Sequence, residues 1–325
     1  MFVKKTFTLS VLVLVGLTSA AHASFEMMLA GDEFGRVHRY DPQNGVYLGN
    51  FGNFQIGSVS SVVADSTSNT AYIYDGSTVH RMNYNTGAYL GGFNRTGTTS
   101  FDLMSDGNLL VCTGNAYQIL DPNSGAVIQS VSTGLAAAYK AIELSDGSIN
   151  VLGYNFGTTD YQFFMLRYSS PTASPTFESL GLISYSFPNS IPTGYGEYLG
   201  NSTVSWSLQS DNFAPANLRR YDSSGTSTLV NASLSGQFMA NSSGMTHTGA
   251  LVTFGSRGST GNYSNHLNYM VPGNNGVWQT SSNPAFYSSG QIRSVAVVLA
   301  PEPGTMVALA GSSLAIILRR RRKSS

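Results

Sequence analysis

A short block of sequence, Val37–Phe51, recurs closely as Val79–Phe93 and in weaker form as Tyr117–Ile128. Each copy has the pattern of a strand that ends in Asp or Asn, a turn that contains Gly, and a returning strand. Fainter echoes follow at 166–170, 218–225 and 268–276. The turn glycines are Gly45, Gly87, Gly125, Gly225 and Gly276, with two intervals merged between Gly125 and Gly225. Their spacing of about 40 to 50 residues is typical of the blades of a β-propeller.

Each repeat also carries an earlier hairpin, so that four strands are predicted per repeat. The earlier hairpins are Val59–Ala64 with Ala71–Asp75, Thr99–Met104 with Leu109–Thr113, and Tyr139–Leu144 with Ile149–Tyr154. The predicted blades are 25–52 plus 291–299, then 57–95, 97–132, 134–181, 184–234 and 236–282. The sequence therefore predicts an all-β, six-bladed β-propeller, and the divergence of the later repeats leaves seven blades open.

The last strand of the body, Gln291–Val298, resembles the first strand of a repeat, Val59–Ala64. The first repeat has only three strands of its own. We therefore expect the C-terminal strand to complete that blade and close the ring, which would remove an exposed sheet edge.

Several side chains that could carry chemistry have simpler structural explanations. His38 and His80 occupy equivalent repeat positions, where we expect them either to face solvent or to pack between strands. The recurrent turn residues Asp41, Asp121 and Asp222 are expected to cap backbone N–H groups. Calcium is a weak alternative for a further set of carboxylates, because none forms a dense Asp-x-Asp-x-Asp loop; this set is Asp65, Asp75, Asp106 and Asp146. We also expect the single cysteine, Cys112, to be a buried, inert thiol within an apolar run.

The sequence contains no serine-hydrolase elbow, no zinc-protease helix motif and no Walker-type glycine loop. We therefore predict no catalytic residues, no metal site and no cofactor. Aromatic residues crowd the second half of the chain, and we expect several to lie in loops beside Gly or Asn. Exposed aromatic rings can stack on sugars, although β-propensity alone also favours Tyr in strands. The candidate ligand-binding aromatics are Tyr195, Tyr198, Trp206 and Trp278.

The N-terminus has the pattern of a secretory signal peptide. Lys4 and Lys5 precede an apolar stretch, and an Ala-x-Ala site at Ala21 and Ala23 places the cleavage before Ser24. Residues 1–23 are therefore predicted to direct export through the Sec machinery and to be removed by signal peptidase.

The C-terminus has a three-part order: Pro301-Glu302-Pro303-Gly304, an apolar run over 305–318, and the cations Arg319, Arg320, Arg321, Arg322 and Lys323. The run is short for a bilayer span, but thinning and snorkelling cations can accommodate it. The cations should stay on the cytoplasmic side, which places the preceding chain across the membrane. An ordinary single-span anchor is the alternative.

This tail resembles the PEP-CTERM sorting signal of Gram-negative envelope proteins, although the resemblance covers only residues 301–325. It implies recognition by an exosortase, a host that makes exopolysaccharide, and passage of the protein through the inner membrane to the cell surface or extracellular matrix. The body resembles quinoprotein-like, NHL-type and WD-type propellers in architecture, without the signature residues of any one of them.

The charge of the predicted body, residues 24–300, argues against a nucleic-acid partner. The whole chain has 17 basic and 17 acidic residues, but both processed ends are rich in cations. Their removal leaves about 10 basic and 16 acidic residues, so the body has no excess of positive charge with which to bind nucleic acid.

From the two processing signals, the repeats and the missing catalytic motifs, we expect an exported, non-enzymatic propeller that binds an exopolysaccharide or a matrix protein. An envelope polysaccharide lyase or glycoside hydrolase and a purely architectural matrix component are the alternatives.

Overall fold

The computed structural model describes most of the body but neither end of the chain. The described residues are 25–53, 55–144, 146–156, 160–170, 173–184, 191–198, 202–208, 216–221, 227–234, 238–239, 244–246, 250–259, 262–272, 278–288 and 290–300. Within these ranges all regular structure is β-strand, and the strands form antiparallel sheets of four or five. The prediction of an all-β fold is confirmed.

The sheets are named in the order in which the chain enters them. Sheet 1 has the order β25 (Ile292–Ala300), β1 (Phe25–Asp32), β2 (Val37–Tyr40) and β3 (Tyr47–Asn50). Sheet 2 contains β4 (Ser61–Asp65), β5 (Thr70–Tyr74), β6 (Thr78–Asn83) and β7 (Tyr89–Asn94). Sheet 3 contains β8 (Thr98–Leu103), β9 (Leu109–Thr113), β10 (Ala116–Leu120) and β11 (Val127–Ser132).

The later sheets repeat this order. Sheet 4 contains β12 (Ala137–Glu143), β13 (Ile149–Phe156), β14 (Asp160–Tyr168) and β15 (Thr176–Ser184). Sheet 5 contains β16 (Ile191–Tyr198), β17 (Ser202–Leu208), β18 (Ala216–Tyr221) and β19 (Ser227–Leu234). Sheet 6 contains β20 (Phe238–Met239), β21 (Gly244–Met245), β22 (Leu251–Ser259), β23 (Asn262–Pro272) and β24 (Trp278–Ser288), with β20 and β21 both paired to β22.

The C-terminal strand β25 pairs with β1, as predicted, so sheet 1 is built from both ends of the body. Its place in sheet 1 matches that of β4 in sheet 2, at the edge occupied by the first strand of a repeat. Two predicted limits are too short: β15 runs to Ser184 and β24 to Ser288, beyond the expected ends at Gly181 and Ser282. These strands extend because their partners β14 and β23 are long and pair along their full length.

Among the described side chains, apolar clusters fill the spaces between three pairs of neighbouring sheets. One cluster joins Tyr40 and Met28 of sheet 1 to Phe254 of sheet 6. Another joins sheets 2 and 3 through Tyr74 and Phe101, and a third joins sheets 3 and 4. Face-to-face packing of successive four-stranded sheets is the β-propeller arrangement.

The first strands of successive sheets lie side by side and are linked by side-chain hydrogen bonds. Ser294 on β25 accepts from the Val62 backbone N–H at 2.9 Å, and Ser61 donates to the carbonyl of Phe101 at 3.4 Å. Thr99 on β8 donates to the carbonyl of Ala138 on β12 at 3.1 Å. These strands are the inner strands of the propeller, and β3, β7 and β11 are outer strands.

The repeated turn has the same geometry in the first three sheets. In each, the Gly N–H donates to the carbonyl of the Asp or Asn four residues earlier, at 2.9, 2.7 and 2.9 Å for Gly45, Gly87 and Gly125. All three glycines have φ near +70°, a conformation that other residues seldom adopt. The turn interpretation is confirmed.

Candidate functional site

The most densely bonded polar group in the described body surrounds Asp32, at the end of β1. Its side chain is fully buried, and it accepts hydrogen bonds from the backbone N–H groups of Phe34 and Arg36 at 3.0 and 2.9 Å. The Arg36 guanidinium contacts the same carboxylate at 2.7 and 2.8 Å, and His38 Nε2 lies 3.0 Å away. Burial by itself raises the pKa of Asp32, but the hydrogen bonds from His38 and Arg36 outweigh it and lower the pKa.

His38 connects this carboxylate to the outer strand of sheet 1. Its Nδ1 lies 3.1 Å from Asn50 Oδ1, and the Tyr47 hydroxyl donates to the same oxygen at 2.6 Å. Both ring nitrogens of His38 are therefore occupied. The result is a continuous chain of polar contacts, Asp32–His38–Asn50–Tyr47, between the inner part of the sheet and the rim.

Sheet 2 contains a similar arrangement of side chains that is more exposed to solvent, and we call it the open version. His80 Nε2 lies 3.0 Å from Asp75 Oδ2, as His38 does from Asp32. The residue opposite His80 is Gly92, where sheet 1 has Asn50 opposite His38. The rings of His80 and Tyr89 have centroids 6.3 Å apart, close to the 6.0 Å between His38 and Tyr47.

The two versions differ in exposure. The Tyr89 side chain is 62 % exposed, against 38 % for Tyr47. The His80 side chain is 16 % exposed, against 3 % for His38. In sheet 3 the corresponding residue is Gln118, which donates to Ser130 at 3.2 Å and is contacted by Arg95. The residue at this position therefore differs among three successive repeats. His38 contacts both Asp32 and Asn50, His80 contacts Asp75 and is more exposed, and sheet 3 has the amide side chain of Gln118.

A groove of about 250 Å³ lies beside the Asp32 group. Arg36, Asn50, Asn53 and Gln55 supply its polar wall, and Val37, Phe51 and Gly52 complete it. The guanidinium of Arg36 stacks over the Phe34 ring at 5.8 Å from its centroid. Because Asp32 neutralises Arg36, the groove offers amide and guanidinium N–H donors without a large net charge.

A second charged group lies between the inner strands of sheets 3 and 4. Lys140 on β12 is only 8 % exposed. Asp102 on β8 lies within electrostatic range of both Lys140 and Glu143. Burial raises the pKa of Asp102 to about 6, although the positive charge of Lys140 acts in the opposite direction. Burial also lowers the pKa of Lys140, against the attraction of Asp102.

The carboxylates that suggested calcium are turn caps where the structure describes them. Asp65 accepts from the backbone N–H groups of Thr67 and Ser68, and Asp106 accepts from that of Asn108. Asp146 accepts from the Ser148 N–H and contacts Arg167 at 2.7 Å. Asp41 and Asp121 cap their turns as predicted, while Asp222 lies outside the described residues. Within the described ranges, no group of three or more His, Cys, Asp or Glu residues could hold a metal ion.

The single cysteine is buried, as expected. Cys112 on β9 is fully inaccessible, and burial raises the pKa of its thiol to about 12. A thiol in this state is a poor nucleophile.

The predicted ligand aromatics lie in strands, so the expectation of loop positions is wrong for them. Tyr195 and Tyr198 are on β16, Trp206 is on β17 and Trp278 is on β24. Tyr154 and Phe156 are on β13, with ring centroids 5.4 Å apart. The β-propensity of aromatic residues accounts for these positions. A role of the four residues in ligand binding stays a prediction.

The predicted processing signals lie outside the described residues. These are Ala21, Ala23 and Ser24 at one end, and Pro301 to Gly304 and the cations from Arg319 to Lys323 at the other. Among the residues that the structure does describe, no helix is long and apolar enough to cross a membrane.

The partners of the two histidines were missed from the sequence. Asp32 and Asp75 precede them by six and five residues and stand before the recurring block. A comparison extended upstream, through Gly31-Asp32 and Tyr74-Asp75, would have found them. The Asp102–Lys140 group had one signal: Lys140 is the only lysine between the two predicted processing signals.

The arrangement of sheets makes this a β-propeller protein, and two solved structures are similar to it in fold at a TM-score of 0.5 or more. A protein of unknown function from Bacteroides caccae has a TM-score of 0.56 at 14% identity, covering 85% of this chain and 99% of that one. A putative 6-phosphogluconolactonase from Bacteroides uniformis has a TM-score of 0.50 at 12% identity, covering 80% and 83%. The periplasmic gluconolactonase of Pseudomonas aeruginosa has a TM-score of 0.48 at 14% identity, covering 85% and 99%.

At these identities the likeness to solved structures shows the fold alone. No protein-family model matches the chain. No curated protein sequence matches it either.

Proposed function

We propose that this protein is an exported, non-enzymatic propeller that an exosortase processes at its C-terminus and that binds an extracellular polysaccharide or matrix partner. Residues 1–23 act as the signal peptide, 24–300 form the body, and 301–325 are the sorting signal with its membrane helix. The protein resides transiently in the inner membrane and then at the cell surface or in the matrix. The six sheets are six blades of one ring, which β25 closes.

The observation that carries this proposal is the order of the C-terminal tail. Pro301 and Pro303 restrict the backbone before the apolar run, and the cations from Arg319 to Lys323 stop transfer across the membrane. A signal peptide at the other end supplies the export that such a tail requires. A body whose described residues form regular structure only as sheets, with one buried cysteine in the whole chain, suits an extracellular module that is stabilised by its core.

Replacing Pro301 and Pro303 together by Ala should block processing. We expect the double variant to accumulate in the inner membrane with its C-terminal tail still attached, because an exosortase would no longer recognise this motif. Membrane fractionation and immunoblotting of the body measure the effect. A matched control replaces Pro272, which is in the body on β23, by Ala. Normal release of the double variant would contradict the sorting proposal.

One observation favours the alternative of an envelope polysaccharide-degrading enzyme. Burial raises the pKa of Asp102, on the inner strand β8, to about 6, and this carboxyl lies near Lys140 and Glu143. A carboxyl with a raised pKa can act as a general acid. Incubation of the full-length protein with host exopolysaccharide separates the two functions: the polymer stays intact with a binding protein, and oligosaccharides appear with an enzyme.

A further inference from the structure

We propose that Tyr89 and His80, on the rim of sheet 2, form a binding site for a neutral polysaccharide chain. This inference rests on the proposed function and assigns its ligand contact to specific residues. It places the contact on the second blade, away from the aromatics of the later sheets that the sequence favoured.

The site is a ring platform with a polar atom beside it. Tyr89 begins the outer strand β7 and is 62 % exposed, so one surface of its ring is open to solvent. The pairing of β6 with β7 places Thr78 opposite Asn94 and His80 opposite Gly92, on the same face as Tyr89. Asn94 is exposed and accepts a hydrogen bond from the Thr78 hydroxyl at 3.4 Å. A ring flanked by imidazole and amide groups can stack on a sugar and hydrogen-bond its hydroxyls.

Asp75 fixes which nitrogen of His80 is available. A carboxylate only accepts hydrogen bonds, so the contact of 3.0 Å with Asp75 places the hydrogen on Nε2. In the neutral ring, Nδ1 is then an acceptor for a hydroxyl. Among the described residues no hydrogen-bond partner reaches this atom, and it is not one of the buried polar atoms without a partner. The imidazole therefore presents an oriented, solvent-accessible acceptor beside the Tyr89 ring.

Sheet 1 shows what a closed version of the site looks like. There Asn50 lies between His38 and Tyr47 and contacts both, at 3.1 and 2.6 Å. Sheet 2 has Gly92 at that position, where a Cβ atom would lie 2.5 Å from the Val79 carbonyl oxygen and 3.2 Å from the Tyr89 hydroxyl. Without an Asn side chain at this position no amide bridges His80 and Tyr89, although their rings still lie 6.3 Å apart between centroids.

The local charge selects the class of sugar. Asp75 is ionised at neutral pH, because hydrogen bonds from His80, Ser77 and Thr78 outweigh the effect of burial and hold its pKa far below the usual range. An acidic sugar would be repelled by this carboxylate and by the net negative body. An exposed aromatic side chain on the outer strand of a sheet suits a polymer that passes across it, so the ligand class is a neutral polysaccharide.

Calorimetric titration of the full-length protein in detergent with hexamers of glucose, mannose and galactose tests the site, with hexagalacturonate as the acidic comparator. We expect one of the neutral hexamers to bind and hexagalacturonate to bind much more weakly. Tyr89→Ala should weaken that binding about tenfold, the scale of losing an aromatic anchor. His80→Gln should weaken it about fivefold, because an amide whose NH2 group bonds Asp75 has no acceptor at the position of Nδ1. The matched controls Tyr47→Ala and His38→Gln in sheet 1 should change it by less than about twofold.

Nitrogen NMR of the imidazole side chains gives a second readout. The neutral hexamer should shift the Nδ1 signal of His80 and leave that of His38 in place. The unfolding midpoints of all four variants show whether any loss of hexamer binding comes from misfolding. Binding that survives both Tyr89→Ala and His80→Gln would overturn this site but leave polysaccharide binding intact. Absence of binding to every neutral hexamer would overturn the ligand class. The proposed export and sorting are tested independently of binding, and they would be contradicted if the protein were never found outside the cell.

Discussion

Lys140→Met is expected to lower the free energy of unfolding by about 1–3 kcal/mol, because it leaves the half-buried Asp102 carboxylate without the nearby positive charge of Lys140. Lys140 is 8 % exposed, so solvent cannot replace the lost cation easily. Urea unfolding of the variant and the wild type measures the difference. The matched control is the double variant Lys140→Met with Asp102→Asn, which removes both charges and should recover most of the lost stability.

The pH dependence of this loss supplies an independent check. The pKa of Asp102 is already raised to about 6 in the folded protein, above its value of about 3.9 in an unfolded chain. A raised carboxyl pKa stabilises the fold at low pH, and this contribution is lost as the pH rises through the folded pKa. The Lys140→Met variant should therefore be closer to the wild type in stability at pH 5 than at pH 8. A loss of equal size at both pH values would contradict the electrostatic explanation.

Asp32→Ala should lower the free energy of unfolding by about 3 kcal/mol or more, because it leaves two buried or half-buried partners, His38 and Arg36, without their acceptor. Asp75→Ala is the matched control from the next blade. Its carboxylate is more exposed, at 11 % of the side chain against 0 % for Asp32, so we expect a smaller loss. Equal losses at the two positions would show that burial does not set the strength of these Asp–His pairs.

At acid pH the wild-type protein should lose the stability that these two carboxylates contribute. Asp32 and Asp75 both have pKa values that the fold lowers, through the hydrogen bonds that outweigh burial. Such groups contribute stability above their unfolded pKa of about 3.9, and that contribution is lost as the pH falls through the folded values. The acid limb of the stability profile should therefore be shallower in Asp32→Ala than in the wild type.

The repeats predicted the fold because each local signal agreed with the others. The turn glycines required positive φ, the alternating runs gave four strands per repeat, and the similarity of 291–298 to Val59–Ala64 located the strand that pairs with β1. The ends of β15 and β24 were missed, because strand length depends on the pairing partner and not on the strand's own residues. The loop positions expected for the aromatics failed for a similar reason: Gly and Asn beside a Tyr do not end a strand that is paired along its length with a neighbour, as β16 is with β17.

The candidate sites were harder to predict than the fold. His38 and His80 were recognisable in the sequence as equivalent residues. Their contacts, however, involve Asp32 and Asp75 and depend on whether Asn50 or Gly92 lies opposite the ring. Only strand pairing brings these residues together. The neighbourhood of Asp102 and Lys140 arises between two sheets, so no spacing along the chain could reveal it. Side-chain chemistry between blades is a tertiary property.

The intact mass and N-terminal sequence of the protein recovered from outside its own cells test the central claim most directly. The account predicts a chain that starts at Ser24 and has lost the tail beyond the Pro301–Gly304 motif. Recovery of the protein only from the cytosol, with residues 1–23 and 305–325 still attached, would contradict it.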